Sequence, residues 1–475
     1  MRRHSVPFLI LATMVCGLFT SISARAEEKP NIVYILADDL GWKDVGFHGA
    51  TDIQTPHLDQ LAAGGVRLEQ FYTQPFCTPT RAALMTGRYP FRYGLQTAVI
   101  PSKGTYGLAT DEWLLPQAMH EAGYDTAMVG KWHLGHADQK FWPRQRGFDY
   151  HYGAVLGEID YFTHSAHEVM DWQRNNTSLR EEGYATELLG RDAVRLITEH
   201  DTSKPLFLYL AFTAPHTPYQ APKAYIDRYP DIADETRRAY AGMVTCLDDQ
   251  IGHVIDALDK KGIRKNTLVV FHSDNGGTRD TRVTGEEIVK SVPCDNGPLK
   301  GGKGQMYEGG TRVPAFMNWP GKLPAGGEVT ELIHVVDMYP TLVHLAGGST
   351  AKCKPLDGHD VWPAIAEKNP SGRNEIVYDI EPFRGSVRHG DWKLVWRSLL
   401  PSKIELFNIA DDPYETNNLA DQHAEKVKML QARIEQLAGE SAKPLFMETA
   451  VNAVFSGIFG PAPIPTEDSA STSEP

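Results

Sequence analysis

Residues 31–39 read NIVYILADD, an apolar run that ends abruptly in two aspartates. Residues 267–276 repeat the design as TLVVFHSDNG, with an aspartate and an asparagine at the same place. Such continuous apolar runs are typical of strands buried on both faces, as in the parallel sheets of α/β proteins. Because ligands gather at the carboxyl ends of parallel strands, we expect both polar pairs to meet at one edge of a sheet.

The two polar pairs predict a site for a hard cation. Calcium accepts six to eight oxygen ligands at about 2.3–2.6 Å and is the expected ion, with magnesium as the alternative. One acidic pair alone would be explained more simply as a helix cap or a solvated turn. Two pairs in corresponding places favour the cation. The predicted ligands in these pairs are Asp38, Asp39, Asp274 and Asn275.

Two further apolar runs end in basic side chains. Residues 124–135 read YDTAMVGKWHLG, and positions two apart in an extended chain share a face, so Lys131 is expected beside His133. Residues 205–218 read PLFLYLAFTAPHTP and bring His216 to the same edge. A lone histidine at a strand end is more often structural than catalytic. His216 is a functional candidate only because other candidate residues are expected at the same edge.

Residues 298–314, PLKGGKGQMYEGGTRVP, are too rich in glycine for a helix and predict a shaped loop that enters a strand. Lys303 is the functional candidate in this loop, although an ordinary surface lysine is the default for any single lysine. Lys300 is the nearby competitor for the same role.

Residues 76–88 read FCTPTRAALMTGR and place Cys77 at the start of a predicted helix, four residues before Arg81. Unpaired amides and the helix dipole favour an anionic group at that end. A lone cysteine would more often be a small buried hydrophobe or half of a disulfide. The surrounding pattern favours a processed nucleophile.

Cys-x-Pro-x-Arg followed by Thr-Gly-Arg resembles the signature of the type I, formylglycine-dependent sulfatases. The stretch that starts at Lys303, Lys-x-x-x-x-Glu-Gly-Gly-x-Arg-Val-Pro, resembles a second pattern of that family. The resemblance extends to about Leu419. Within the family, residues 156–164 and the Gly-Lys-Trp-His-Leu-Gly context are similar to arylsulfatase B, the N-acetylgalactosamine-4-sulfatase, and to bacterial sulfatases of that type.

The resemblance implies a sulfuric ester hydrolase in which a maturation enzyme oxidises Cys77 to formylglycine (3-oxoalanine). It also makes residue 77 a metal ligand, with Arg81 supporting the nucleophile and the metal. Lys131 and His133 would steady the hydroxyls of the hydrated aldehyde, and His216 and Lys303 would lie on the leaving-group side. The candidate substrate-binding residues are Glu158, Asp160, Tyr161, His164, Arg384 and His389. At Arg384 and His389, ordinary surface charge is an equally good explanation.

A chain of 475 residues predicts one large domain and a smaller one. We expect an α/β catalytic domain over residues 27–363, with a large, mostly parallel sheet flanked by helices as in alkaline phosphatase. Residues 364–455 predict an α+β subdomain with an antiparallel sheet and a helix from about His423 to Leu437. The Pro-, Ser-, Thr- and Glu-rich residues 456–475 predict a disordered tail.

Residues 1–26 combine two arginines, a short apolar run and small residues, which is typical of a secretory signal peptide. The run is shorter than the roughly 20 residues that span a bilayer, so we expect a periplasmic or secreted protein without a membrane anchor. Four cysteines, at positions 77, 246, 294 and 353, remain in the mature chain. With Cys77 modified they allow at most one disulfide, and free thiols are equally compatible.

The net charge of −13 argues against a nucleic-acid partner, because such proteins are usually basic. The expected partner is a sulfated carbohydrate, with galactose or N-acetylgalactosamine 4-sulfate as candidates, in the degradation of sulfated polysaccharides. Monomer and homo-oligomer both remain open. The alternatives are a phosphatase or phosphodiesterase of the same superfamily, and a non-catalytic binder of sulfated glycans if Cys77 stays unmodified.

Overall fold

A computed structural model describes residues 29–166, 169–280, 292–398, 401–448 and 450–451. The predicted signal peptide, residues 1–26, and the predicted tail, residues 456–475, lie outside the described residues. The strands are β1 (Asn31–Ala37), β2 (Val66–Leu68), β3 (Phe71–Tyr72), β4 (Asp125–Gly130), β5 (Tyr150–Gly153), β6 (Ser165–Ala166), β7 (Val169–Met170), β8 (Gln173–Arg174), β9 (Thr177–Ser178), β10 (Leu206–Ala211), β11 (Thr267–Ser273), β12 (Ala315–Asn318), β13 (Gly327–Val329), β14 (Ile333–His334), β15 (Glu375–Glu381), β16 (Arg384–His389), β17 (Trp392–Arg397) and β18 (Lys403–Asn408).

The α-helices lie between groups of strands along the chain. They are α1 (Pro56–Ala63), α2 (Cys77–Thr86), α3 (Leu115–Glu121), α4 (Ala185–Glu199), α5 (Lys223–Ile226), α6 (Glu235–Lys261), α7 (Glu308–Thr311), α8 (Met338–Leu345), α9 (Trp362–Glu367) and α10 (Ala424–Gly439). No helix in the described ranges has the length and apolar character needed to cross a bilayer.

The main sheet has the strand order β13-β2-β12-β11-β1-β10-β4-β5-β8-β9 among the described residues. Its centre, from β11 to β5, is parallel, and β12 and β8 join it antiparallel on either side. This is the large, mostly parallel sheet that the apolar runs predict. The four predicted strands β11, β1, β10 and β4 are direct neighbours, so their carboxyl ends form one continuous edge.

Helices cover both faces of this sheet. Along β1, Ile32, Tyr34 and Leu36 pack into one hydrophobic cluster together with residues of α2, α3 and α8. The alternate side chains of β1, such as Val33 and Ile35, pack into a second cluster with residues of α1, α4 and α6. Every residue of β1 is therefore buried, as a strand covered on both faces requires.

A smaller antiparallel sheet of β15, β16, β17 and β18 follows, and α10 packs against it. This confirms the predicted antiparallel architecture after the main sheet. The chain reverses at Gly390, between β16 and β17. Gly390 has φ +57°, a left-handed conformation that glycine adopts without steric cost, which explains the turn.

The glycine-rich stretch 298–314 is a loop that leads into β12, as predicted, except that its end forms the single turn α7. The four cysteines of the described chain, Cys77, Cys246, Cys294 and Cys353, are all free thiols. The sequence is compatible with either one disulfide or free thiols, and the described residues show free thiols.

Candidate active site

The candidate site lies where the central parallel strands end and α2 begins. Asp38 and Asp39 follow β1, Asp274 and Asn275 follow β11, Lys131 follows β4, and His216 lies in the loop after β10. The structure brings all ten predicted catalytic and metal-binding residues to this edge, and each is buried. They are Asp38, Asp39, Cys77, Arg81, Lys131, His133, His216, Asp274, Asn275 and Lys303.

Cys77 is the first residue of α2, so its sulfur lies at the amino end of the helix as the sequence predicts. Cys77 Sγ is 3.5 Å from Asp38 Oδ1. Burial raises the pKa of the Cys77 thiol well above its usual value, and the nearby Asp274 carboxylate raises it further. An unmodified Cys77 is therefore a neutral thiol near pH 7 and a poor nucleophile.

Arg81, one turn along α2, is completely buried and holds two strand ends together. Its Nε and Nη2 donate to Asp274 Oδ2 at 3.1 and 2.8 Å, and its Nη1 donates to the carbonyl of Lys131 at 2.8 Å. Burial raises the pKa of Asp274, and the charge of Asp38 raises it further, whereas Arg81 opposes the shift. The planar guanidinium fork makes these contacts simultaneously, which a lysine could not do.

Lys131 and Lys303 each pair with a different aspartate. Lys131 Nζ is 2.5 Å from Asp38 Oδ2, and Lys303 Nζ is 2.7 Å from Asp39 Oδ2. Burial disfavours the charged form of Asp39, but the charge of Lys303 and hydrogen bonds from Lys303 and Asn275 hold the pKa of this carboxyl well below its usual range. The competitor Lys300 instead contacts Glu405 Oε1 at 3.2 Å, so the structure places Lys303 at the site.

Two histidines, His133 and His216, are buried at this centre. His216 Nε2 is 3.6 Å from Asp39 Oδ2, and His216 Nδ1 is 2.6 Å from the carbonyl of Thr217. Burial lowers the pKa of His216 to about 3, and the charge of Lys303 contributes. Burial, followed by the charge of Lys131, also lowers the pKa of His133. Both rings are therefore neutral in the described arrangement.

Lys131 and His133 share the site, but not through the strand alternation that the sequence predicts, which is wrong here. The strand β4 ends at Gly130, and His133 has φ +57°, so strand alternation does not apply to this segment. His133 Nε2 instead lies 3.1 Å from the carbonyl of Ile100. The left-handed backbone at His133, rather than an extended chain, sets the ring direction.

The arrangement fits a hard cation. Ligand atoms of Asp38, Asp39, Cys77 and His216 lie within 4.8 Å of one another. Asn275 Oδ1 is buried and has no hydrogen-bond partner within the described residues, whereas its Nδ2 donates to Asp39 Oδ1 at 2.7 Å. Leaving a buried amide oxygen unpaired is costly, and a cation bound by oxygen ligands would satisfy it.

Sequence reasoning missed Thr278, whose Oγ1 donates to Asp39 Oδ2 at 3.2 Å. Thr278 follows Asn275 closely along the chain, which is the only signal that could have identified it. His216 was predicted as a leaving-group residue only, yet its ring also lies among the groups that could hold a cation.

Three predicted substrate-binding residues that lie close together in the sequence, Asp160, Tyr161 and His164, use their side chains within the fold. Asp160 Oδ1 accepts the amides of Phe162 and Thr163 at 2.9 and 2.7 Å. His164 stacks on Trp172 and its Nε2 lies 3.0 Å from the carbonyl of Gly183. The Tyr161 hydroxyl lies 2.7 Å from the carbonyl of Thr213 and 2.8 Å from that of His216.

The other three predicted substrate-binding residues lie at different places. Glu158 follows Gly157, whose backbone packs directly on the His133 ring. Arg384 Nη1 donates to the carbonyl of Gly304, next to Lys303, at 2.7 Å. His389 is exposed at the opposite end of β16 from Arg384. The fold thus brings Glu158 and Arg384 toward the site and leaves His389 away from it.

The sulfatase family model matches residues 30–349. The chain belongs to the sulfatase family. A second model, the C-terminal region of N-sulphoglucosamine sulphohydrolase, matches residues 302–440. This sulfatase is therefore a sulfuric ester hydrolase, and the type I resemblance of its motifs is confirmed.

Named relatives agree with this assignment. Arylsulfatase J of Mus musculus is 35% identical over 481 residues, covering 88% of this chain and 78% of that protein. N-acetylgalactosamine-6-sulfatase of Mus musculus is 34% identical over 394 residues, covering 78% and 72%. Since this second name specifies a 6-sulfatase, 4-sulfate specificity stays a prediction.

Solved structures show the same fold. Ps i-CgsB in complex with k-i-k-neocarrahexaose is 33% identical with a TM-score of 0.80, covering 88% of this chain and 94% of that one. PsFucS1 sulfatase from Pseudoalteromonas sp. is 27% identical with a TM-score of 0.71, covering 87% and 90%.

Proposed function

We propose that this sulfatase is exported and removes sulfate from a sulfated carbohydrate, using formylglycine at position 77 and one calcium ion. The observation that carries the proposal is the buried Cys77 at the start of α2, with Asp38 at 3.5 Å and the cations of Arg81, Lys131 and Lys303 in the same cluster. A neutral thiol does not explain this arrangement, whereas a processed nucleophile beside an anion-binding pocket does.

When present, formylglycine supplies a hydrated aldehyde, one hydroxyl of which attacks sulfur while the other allows the carbonyl to reform and sulfate to leave. The protein must supply the electrostatics. Lys131 and Lys303 and the amino end of α2 offer positive charge to the sulfate oxygens. Asp38, Asp39, Asp274 and Asn275 would hold the cation, which adds further positive charge at the same place.

His216 is suited to protonate the departing alcohol. Its Nδ1 faces the carbonyl of Thr217 and must carry a proton there, which leaves Nε2 directed at the site beside Asp39. An alkoxide is a poor leaving group, so this proton transfer matters for a sugar sulfate. A bound sulfate ester brings negative charge near the ring and so favours the imidazolium form that the reaction requires.

A carbohydrate substrate is supported by the relatives. Their names include N-acetylgalactosamine-6-sulfatase, and Ps i-CgsB was solved with a neocarrahexaose. A phosphatase of the same superfamily is disfavoured, because the chain matches the sulfatase model over most of its length. A non-catalytic binder of sulfated glycans remains the alternative for protein in which Cys77 is unmodified.

The first test is the mass of the peptide that contains residue 77, combined with sulfate release from a substrate panel. The panel contains the 4- and 6-sulfates of N-acetylgalactosamine and a sulfated neocarrahexaose. We expect loss of sulfur from Cys77 and sulfate release from at least one sugar, with Cys77→Ala inactive. An unmodified, inactive protein from a host with a working maturation system would refute the proposal.

Export has its own test. The sequence of residues 1–26 predicts cleavage near residue 26, so the amino terminus of protein recovered from the native periplasm or medium should begin close to Glu27. Retention of the full leader in cytosolic protein would contradict export without affecting the assigned chemistry.

A further inference from the structure

The backbone atoms of the short segment Lys303–Gly304 form hydrogen bonds to three separate parts of the protein. The Lys303 amide donates to the carbonyl of Gly277 at 3.2 Å, after β11. The Gly304 amide donates to the carbonyl of Pro75 at 2.7 Å, two residues before Cys77. The Gly304 carbonyl accepts from Arg384 Nη1 at 2.7 Å. The position of Lys303 therefore depends on three parts of the protein together: the loop after β11, the segment just before Cys77, and the smaller antiparallel sheet.

Arg384 is itself held rigidly at the start of β16. Its Nε and Nη2 donate to Glu381 Oε1 at 2.9 and 2.5 Å, and its Nη2 is 3.5 Å from Asp379 Oδ2. Asp379 is fully buried, and burial together with the charge of Glu381 raises the pKa of its carboxyl, so the main ion pair of the guanidinium is with Glu381. Because the guanidinium is planar, fixing Nε and Nη2 also fixes the direction of the Nη1 that reaches Gly304.

The Lys303 side chain ends beside His216, the proposed proton donor. Lys303 Nζ lies 2.7 Å and His216 Nε2 lies 3.6 Å from the same atom, Asp39 Oδ2. A displacement of the Lys303 backbone would therefore change the group that stands beside the proposed proton donor. Misplacement by about 1 Å at a catalytic centre can cost 10²-fold in rate.

We propose that Arg384 is a positioning residue that holds Lys303 on the leaving-group side of the site, instead of a residue that binds the sugar. This inference rests on the proposed function, because it assigns Lys303 to departure of the alcohol. The other end of the loop has independent anchors. Lys393 Nζ contacts Glu308 Oε1 at 2.9 Å, and the Tyr307 hydroxyl donates to Glu405. Loss of Arg384 should shift the Lys303 segment locally without releasing the whole loop.

The test compares two sulfate esters with Arg384→Met. Nitrophenyl sulfate has a good leaving group that needs little help to depart, whereas a sugar sulfate releases an alkoxide. We expect kcat on the sugar sulfate to fall about 10²-fold and kcat on nitrophenyl sulfate to stay within about 3-fold. KM for the sugar sulfate should change little, since the residue does not contact it.

The matched control is Arg433→Met. Arg433 on α10 makes a comparable two-point ion pair with Glu375, at 2.9 and 2.8 Å, but has no hydrogen bond to the Lys303 segment. Its variant should keep the wild-type ratio of the two kcat values. Arg384→Lys keeps a positive charge beside Asp379 but lacks the guanidinium fork, so it should show the same selective loss of kcat on the sugar sulfate. This variant replaces Arg384→Met in the test if Arg384→Met does not fold.

A second readout does not depend on turnover. Lys303 is 4% exposed, so reductive methylation of its amine should be slow in wild type and at least about 10-fold faster in the Arg384 variants, measured by peptide mass. Equal losses on both esters, a raised KM for the sugar alone, or unchanged labelling would overturn the proposal. A wild-type protein that releases sulfate from neither ester would refute the proposed function instead, and the labelling would still decide the role of Arg384.

Discussion

Tyr161 is a buried residue whose hydroxyl lies between two carbonyls of the loop that carries His216. The oxygen is 2.7 Å from the carbonyl of Thr213 and 2.8 Å from that of His216. The sequence predicted a substrate contact here, but the observed bonds favour a role in holding the histidine. A hydroxyl that orients a catalytic loop affects the rate of the reaction without affecting substrate affinity.

Tyr161→Phe should therefore lower kcat and leave KM nearly unchanged. The substitution removes one hydrogen bond and leaves buried carbonyls with one donor fewer, which should cost about 1–2 kcal/mol in the free energy of unfolding. Steady-state kinetics and urea titration measure both effects. Tyr124→Phe is the control, because that buried hydroxyl bonds to the carbonyl of Pro30 at the opposite end of β1. An increase in KM at constant kcat would make Tyr161 a substrate contact.

Asn275 gives a residue-level test of the proposed calcium site. Calcium that binds only the folded state should stabilise the protein by about 2.7 kcal/mol at a concentration 100 times the dissociation constant. We expect the melting temperature to rise with calcium, to fall with a chelator, and to become insensitive to calcium in Asn275→Ala. The exposed Asn369→Ala should respond like wild type. A protein whose melting temperature ignores calcium and magnesium alike would contradict a cation site.

Between the small sheet and the Lys303 loop, two carboxylates share one buried lysine. Lys393 Nζ on β17 is 2.9 Å from Glu308 Oε1 and 3.0 Å from Glu415 Oε1. Burial and the negative charge of Glu308 raise the pKa of Glu415, and Lys393 opposes this shift. The resulting pKa is about 7. The folded protein therefore holds a proton on Glu415 at a pH at which the unfolded chain, with an ordinary glutamate pKa near 4.3, has lost it.

This shift has a defined sign. The stability that protonated Glu415 contributes is fully present below pH 4 and is lost as pH rises through about 7. Glu415→Gln cannot titrate, so its stability relative to wild type should increase from pH 5 to pH 8, as measured by urea midpoints. Glu405→Gln is the control: hydrogen bonds from Lys403 and Tyr307 outweigh burial and lower the pKa of Glu405, so its effect should be constant over that range. A constant effect for Glu415→Gln as well would contradict the assignment.

The elements that carry the site could be predicted because their signal is local. Each of β1, β4, β10 and β11 is an apolar run that ends in polar side chains, and parallel strands share a carboxyl edge. The anchoring of the site could not be predicted in the same way. Arg384 reaches a carbonyl 80 residues away, and Tyr161 reaches one 55 residues away. Nothing in the neighbouring sequence of either residue specifies such a partner.

At the scale of the whole molecule, the two sheets pack into a common hydrophobic core. One cluster contains Met85 of α2 and Leu342 of α8 together with Val387, Leu394 and Leu406 of the small sheet. The predicted boundary at residues 363 and 364 therefore lies within continuous packing. Polar contacts cross it as well, for example the Gln74 amide to the carbonyl of Val377 at 3.1 Å. We infer that the small sheet is part of the same cooperative unit as the catalytic sheet.

Cooperativity can be measured by hydrogen exchange as a function of urea. Peptides from β1 and β17 should open with the same free energy, because neither sheet keeps its core without the other. Leu394→Ala removes a fully buried side chain and should lower the opening free energy of both peptides by about 2–5 kcal/mol. Ile404→Ala, on an exposed position of β18, should change neither appreciably. If Leu394→Ala weakened β17 alone, the small sheet would be an independent unit. The coupling between Arg384 and Lys303 would then act only through the hydrogen bond between Arg384 and Gly304 and its neighbouring contacts.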